Sequence, residues 1–228
     1  MKIEVLADPE SVARRGAALV AAAARAAVAE RGQFLFAVSG GHTPWQMLRF
    51  LAGEDMPWSK THVFQVDERV APPGDPDRNW THLRESLLVN APLPTNSLHA
   101  MPVEDDDLET AAKRYAAVLV ALAGTPPTLD LVHLGLGPDG HTASLVPDDP
   151  VLDMTAADVG LTGIYMGRRR MTLTFPVLDR ARAILWLTTG TDKADMLRRL
   201  RDGDRTIPAG RVNGARATLI CDAAAAGT

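Results

Sequence analysis

Two patterns of apolar positions alternate along the chain. Short runs in which nearly every residue is apolar fall at 2–6, 34–38, 61–66, 129–136, 183–189 and 216–221, with weaker ones at 96–101 and 171–175. Runs of that length and composition predict strands buried in a sheet. Between them lie segments whose apolar residues recur every three or four positions, which predicts amphipathic helices. Asp8 and Pro9 open the first of these and Gly32 stops it. Thr43 and Pro44 open a second, over WQMLRFL. Asn79 caps a third through Leu88, Asp105 to Asp107 lead into a fourth ending at Ala123, and Gly190 to Lys193 open a fifth over ADMLRRL. The stretch 148–166 has no clear period and reads as a long connection, and AAAAGT at the end reads as a frayed tail. Repeated strand, turn and helix predicts an α/β fold, three-layered and Rossmann-like, with a doubly wound, mainly parallel sheet in a single domain over 1–228.

In such sheets ligands sit outside the carboxyl ends of the strands, so the turns that follow the strands hold the chemistry. The central one is LDLVHLGLGPDGHTASL, 129–145, where Gly135, Gly137, Pro138 and Gly140 punctuate a tight loop carrying Asp139 and His141 before a short helical pattern resumes. After the second strand, Ser39, Gly40, Gly41, His42, Thr43 and Pro44 form a glycine turn. Its backbone N–H groups and helix start suit an anion, although an ordinary strand-to-helix turn would carry the same glycines. The third strand delivers Asp67, Glu68 and Arg69, followed by a loop dense in proline, glycine and aspartate at 71–77. Asp67 there has either a chemical role or a structural one, as a cap or a partner of Arg69.

Composition narrows the classes. The 228 residues, 46% hydrophobic and 23% charged, are enough for one full core. One cysteine, Cys221, excludes an internal disulfide framework and cysteine-ligated zinc. No secretory segment or bilayer-length apolar run is present, so a soluble, cytoplasmic protein is expected. A formal net charge of −4 argues against nucleic acid as a partner but leaves room for a small anion held by a local cation cluster. Arg168, Arg169 and Arg170 form the one basic run, read first as a solvated turn before a strand. Only four of the 24 basic residues are lysines, and Lys193 sits at a helix start after a strand, where a compact point charge suits an anion as well as solvent.

Gly135, Gly137 and Gly140 spell GxGxxG, but Pro138, Asp139 and His141 crowd the turn and Asp139 would repel a pyrophosphate, so a dinucleotide site is rejected. A metal site at Asp139 and His141 lacks a third ligand at suitable spacing, since His133 lies within the apolar strand and reads as a satisfied core histidine. No G-x-S-x-G elbow indicates a serine hydrolase. What remains is acid–base work by a histidine oriented by a carboxylate.

The segments AVSGGHTP, FQVDERVAPPGDPDRNW and LVHLGLGPDGHTASLVP, in that order and spacing, resemble the 6-phosphogluconolactonases, in the superfamily they share with the glucosamine-6-phosphate deaminases. The resemblance runs from the first strand to IPAGRV at 207–212. It implies an enzyme hydrolysing 6-phospho-D-glucono-1,5-lactone in the pentose phosphate pathway, without metal or other cofactor, with the sugar-phosphate lactone as its partner, acting as a monomer or weak homodimer. By that resemblance Gly40, Gly41 and Thr43 would help hold the phosphate, Arg69 and Lys193 would pair with it, and Asp67 would meet the sugar ring. His141, supported by Asp139, would be the general base, with backbone N–H groups of the 137–140 turn as candidates for stabilising the oxyanion. The deaminases carry an acidic residue shortly after the histidine, where this sequence has Leu145, Val146 and Pro147, which points to the lactonase. A deaminase, or a sensing module without catalysis, are the competing readings.

Overall fold

The computed structural model describes residues 1–227. Its strands, in chain order, are β1 (Lys2–Leu6), β2 (Phe34–Val38), β3 (Thr61–Gln65), β4 (Asp67–Arg69), β5 (Leu98–His99), β6 (Leu131–Leu134), β7 (Val159–Leu161), β8 (Arg170–Leu173), β9 (Ile184–Thr188) and β10 (Ala217–Asp222). Its helices are α1 (Pro9–Arg31), α2 (His42–Leu51), α3 (Asn79–Leu83), α4 (Leu108–Ala123), α5 (Phe175–Arg180), α6 (Ala194–Arg201), α7 (Pro208–Arg211) and α8 (Ala223–Ala226). Seven strands form one wholly parallel sheet in the order β1-β10-β9-β6-β2-β3-β5.

Strand alternation splits the core into two layers, as a three-layer fold requires. Phe34, Phe36, Val38, Leu131, Leu185, Leu187 and Ile220 pack with α1 and α2. Leu35, Ala37, Val132, Leu134, Trp186, Leu219 and Cys221 point to the opposite layer, which contains α4, α6 and α7. Phe34 and Phe36, fully buried in the first of these layers, each contribute roughly 1.5–3 kcal/mol. The alanine-rich face of α1 lets this helix lie close to the sheet: a Cβ on Gly16 would come within 3.0 Å of Leu187. Asp8 caps the helix through Ser11 N at 2.7 Å, and Gly32 ends it at φ 79°.

Several local expectations change. The 171–175 run does not join the parallel sheet; as β8 it lies in a second, antiparallel sheet, β4-β8-β7, whose strand β4 is the DER triplet and whose strand β7 falls in the supposed connection 148–166. The cause is the chain's direction, since β4 follows β3 after one residue and leaves the sheet instead of extending it. At α2 the helix already starts at His42, and Thr43 bonds Thr189 Oγ1 at 2.8 Å instead of capping. At α3, Asn79 is the first helical residue, and the capping acceptor is the fully buried Glu68 carboxylate, which takes the N–H groups of Asn79 and Trp80 at 2.8 Å each. Beyond Leu83 the turn widens to a π-helical stretch, Arg84–Leu88. No helix follows His141 directly, only a turn closed by a Thr142–Leu145 bridge. The run 96–101 shrinks to the two residues of β5 behind a short 3-10 turn. Near the C-terminus, α8 is a capped helix, with Asp222 Oδ1 accepting Ala225 N at 2.8 Å and Ala225 buried, so residues 223–226 are not a frayed tail, while Thr228 lies outside the described residues. Among the described residues no helix is long and apolar enough to cross a membrane.

Candidate active site

Adjacent strands β2 and β6 send their chain connections to opposite sides of the sheet, which opens a crevice at their carboxyl ends. A cleft of about 440 Å³ lies there, lined by the turns after β2, β6 and β9 and by side chains of β4 and β8. Gly40, Gly41, Thr43, Asp67, Arg69, His141 and Lys193 all line it, and Asp139 stands behind His141. Residues up to 153 positions apart in sequence, Gly40 and Lys193, thus share one wall-to-wall space.

The turn after β6 is built to present an imidazole. Asp139 Oδ1 accepts His141 N at 3.1 Å and His141 Nδ1 at 2.5 Å, so the same carboxylate shapes the turn and orients the ring. With Nδ1 engaged, Nε2 is the nitrogen left for chemistry. Gly137 is required by close approach, because a Cβ there would fall 2.0 Å from His141 Nδ1. Gly140 adopts φ 83° and packs on Ile207, while its carbonyl accepts Ala209 N at 2.9 Å, which is how the IPAGRV segment buttresses the loop. Burial works against ionisation of Asp139, but the hydrogen bonds from His141 and Tyr165 outweigh it and hold the carboxyl well below the usual carboxylate range. The turn spends the N–H of Gly137 on His141 O and that of Gly140 on Gly137 O, and Pro138 has none. Of the four residues 137–140, only Asp139 therefore retains an N–H outside the turn's own bonds, which corrects the broader expectation of an oxyanion cradle there.

Asp67 is 4% exposed, and its Oδ2 accepts Ser144 Oγ at 2.6 Å while Asn79 Nδ2 reaches Oδ1 at 3.3 Å. It forms no ion pair with Arg69, and it is Glu68, paired with Arg78, that is the structural carboxylate of the triplet. Arg69 lies on β4, its Nη1 donating to Asp77 O at 2.6 Å, and its cross-strand neighbour is Arg170. Arg170 is only 5% exposed, lines the cleft, and its guanidinium lies 4.8 Å over the Tyr165 ring. Burial, then the Arg69 charge, lower its pKa. The Nε atoms of both arginines are buried without a partner among the described residues. Sequence reasoning that assigned the arginine run to a solvated turn holds for Arg168, paired with Asp75 and Asp77, and for the exposed Arg169, but fails at Arg170. The missed signal is position: Arg170 opens the alternation Arg170, Met171, Thr172, Leu173. Tyr165 was missed as well, in a segment without period.

Lys193 Nζ lies 3.2 Å from Asp192 and faces the cleft just ahead of α6. The Thr43–Thr189 bond ties the glycine turn after β2 to the turn after β9, which carries Lys193. His133 is fully buried but not satisfied: neither ring nitrogen has a partner among the described residues, and burial drives its pKa down to about 3. Among the described residues no three His, Cys, Asp or Glu side chains converge as a metal site needs.

The family model for glucosamine-6-phosphate isomerases/6-phosphogluconolactonase matches residues 7–221. The chain is 38% identical over 201 residues to the 6-phosphogluconolactonase of Synechocystis sp., covering 86% of this chain and 83% of that protein. It superposes on the 6-phosphogluconolactonase structure from Thermotoga maritima with a TM-score of 0.86 at 26% identity, covering 97% of this chain and 98% of that one. A monomeric glucosamine-6-phosphate deaminase superposes equally well, with a TM-score of 0.87 at 18% identity over 100% of this chain and 99% of that one, so the fold by itself does not separate the two activities.

Proposed function

The chain belongs to the glucosamine-6-phosphate isomerase/6-phosphogluconolactonase family, and from that premise we infer that it is a lactone hydrolase converting 6-phospho-D-glucono-1,5-lactone to 6-phospho-D-gluconate in the pentose phosphate pathway. The observation that carries the reading is the Asp139–His141 pair, with Nδ1 held at 2.5 Å and Nε2 available, in a cleft that also contains Arg69, Arg170 and Lys193.

His141 Nε2 takes a proton from a water molecule as its oxygen attacks C1, and Asp139 stabilises the imidazolium that forms. The tetrahedral adduct collapses with cleavage of the C1–ring oxygen bond. The imidazolium gives its proton to that oxygen, which becomes a hydroxyl, and the carboxylic acid product then ionises. The phosphate, held by Arg69, Arg170, Lys193 and the Gly40, Gly41, Thr43 turn, supplies remote binding energy that sets C1 against the imidazole. Asp67, its carboxylate fixed by Ser144 and Asn79, accepts hydrogen bonds from the sugar hydroxyls. We further propose that the enzyme acts in the cytoplasm as a monomer or weak homodimer.

Where a deaminase carries its acidic residue, this chain has the buried Leu145 and Val146, followed by Pro147. The test is lactone hydrolysis by wild type and His141→Asn, corrected for spontaneous opening, with ammonia release from glucosamine 6-phosphate as the control. Wild type should hydrolyse the lactone and release no ammonia, and the variant should lose about a hundredfold or more in turnover. A folded His141→Asn variant of near-normal activity would refute the assignment of the base.

A further inference from the structure

The second oxygen of Asp139 has a partner that the acid–base pair alone does not require. Oδ1 takes both bonds from His141, whereas Oδ2 accepts the Tyr165 hydroxyl at 2.8 Å. We propose that Tyr165 is a positioning residue, fixing the Asp139 carboxylate and through it the direction of His141 Nε2. The proposal rests on the lactonase reading.

Asp139 needs outside support because its turn is rich in glycine and its side chain is one-third exposed. A carboxylate tied by one oxygen can rotate about its terminal torsion, which has a broad profile. A donor on the other oxygen stops that rotation. Tyr165 is in turn placed by a tight hairpin: Tyr165 N donates to Arg168 O at 3.0 Å, and the two central residues, Met166 and Gly167, both have positive φ, 49° and 79°. That is the signature of a type I′ turn. Arg168 then anchors the hairpin to the proline- and aspartate-rich loop, donating to Asp77 Oδ2 at 2.9 Å and Asp75 Oδ2 at 3.0 Å. The phenol ring meets the His141 ring edge-on at 5.5 Å and carries the Arg170 guanidinium over its face. Tyr165 therefore touches both the acid–base pair and the cation wall. Burial and the bond to Asp139 push its pKa up to about 12, so it remains a donor throughout the neutral range.

The test substitutes Tyr165→Phe, which keeps the ring and removes the donor. Turnover should fall about tenfold with KM changed by less than about twofold, as for a lost charge-assisted hydrogen bond that acts in the chemical step. The acidic limb of the kcat/KM profile should move to higher pH. An Asp139 charge no longer shared with the phenol holds the His141 proton more tightly, while the other charges around the pair, Arg170, Arg69, Asp67 and Lys193, are unchanged. In an Asp139→Asn background the same substitution should have almost no further effect, because Tyr165 acts through that carboxylate. A wild-type turnover and pH limb in Tyr165→Phe would overturn the proposal, as would losses that multiply fully in the double variant or a KM effect without a turnover effect. An inactive wild type would instead refute the lactonase reading.

Discussion

Replacing His133 by leucine removes from the sheet interior an imidazole that has no partner on either nitrogen and is driven down to about 3 by burial. In the unfolded chain the same group titrates near about 6.5. Between those two values the unfolded state binds a proton that the folded state refuses, so acidification favours unfolding. The stability at stake is complete above the unfolded value and is lost progressively as pH falls toward the folded one. At about pH 5, some 1.5 units below the unfolded value at about 1.36 kcal/mol per unit, the loss is about 2 kcal/mol. For a chain of this size that corresponds to roughly 4–8 °C in Tm. His99, lowered to about 4 by burial and then by the nearby His62, adds a loss of the same sign that the substitution leaves in place. Thermal unfolding of wild type and His133→Leu at about pH 7.5 and about pH 5 isolates the His133 share as a difference of differences. The leucine variant should match or exceed wild type at the higher pH, since it no longer buries an unsatisfied polar group, and should lose about 2 kcal/mol less on acidification. Equal losses in the two proteins would refute the reasoning and would mean that the imidazole is hydrated or protonated in place.

Two further outcomes concern the cleft. Arg69→Ala, Arg170→Ala and Lys193→Ala should each reduce kcat/KM on the phosphorylated lactone far more than on the unphosphorylated one, with partial non-additivity in pairs; equal losses on both substrates would remove these residues from the phosphate site. Gly137→Ala should displace the His141 ring, given the 2.0 Å approach of the added Cβ to Nδ1, and lower turnover by about a hundredfold while the protein stays folded. A crystal structure of that variant with the imidazole unmoved would contradict the packing argument.

Periodicity made the parallel sheet and its flanking helices legible, because strands buried on both faces leave continuous apolar runs such as Phe34–Val38 and Ile184–Thr188. The turns after β2 and β6 were legible too, since glycine, proline and an Asp-x-His spacing are local signals. What stayed hidden depends on non-local pairing. A three-residue strand such as β4 has no period to detect, and its partner β8 lies a hundred residues later. Capping failed for a related reason: the donors at the start of α3 are satisfied by Glu68, eleven residues upstream, and not by a neighbouring side chain. Tyr165 stands in a segment whose conformation is set by a hairpin turn at Met166, a residue with no compositional bias toward positive φ.

The small antiparallel sheet also explains why an arginine run that looked like surface contains a buried member. Arg69 and Arg170 are directly opposed across β4 and β8, and like charges in that position destabilise a strand pair. Both Nε atoms are buried without a partner, and Asp67, two residues before Arg69, has its carboxylate committed to Ser144 and Asn79. The fold thus holds two guanidiniums side by side, incompletely neutralised, in the wall of a cleft that also receives Lys193 and the glycine turn after β2. An arrangement costly in isolation becomes favourable when an anion enters, because each cation then exchanges repulsion for a charge-assisted bond. A dianionic phosphate meets that demand better than a neutral sugar does, and on the proposed reading β4 and β8, lying outside the parallel sheet, would give the cleft its selectivity for a phosphorylated lactone.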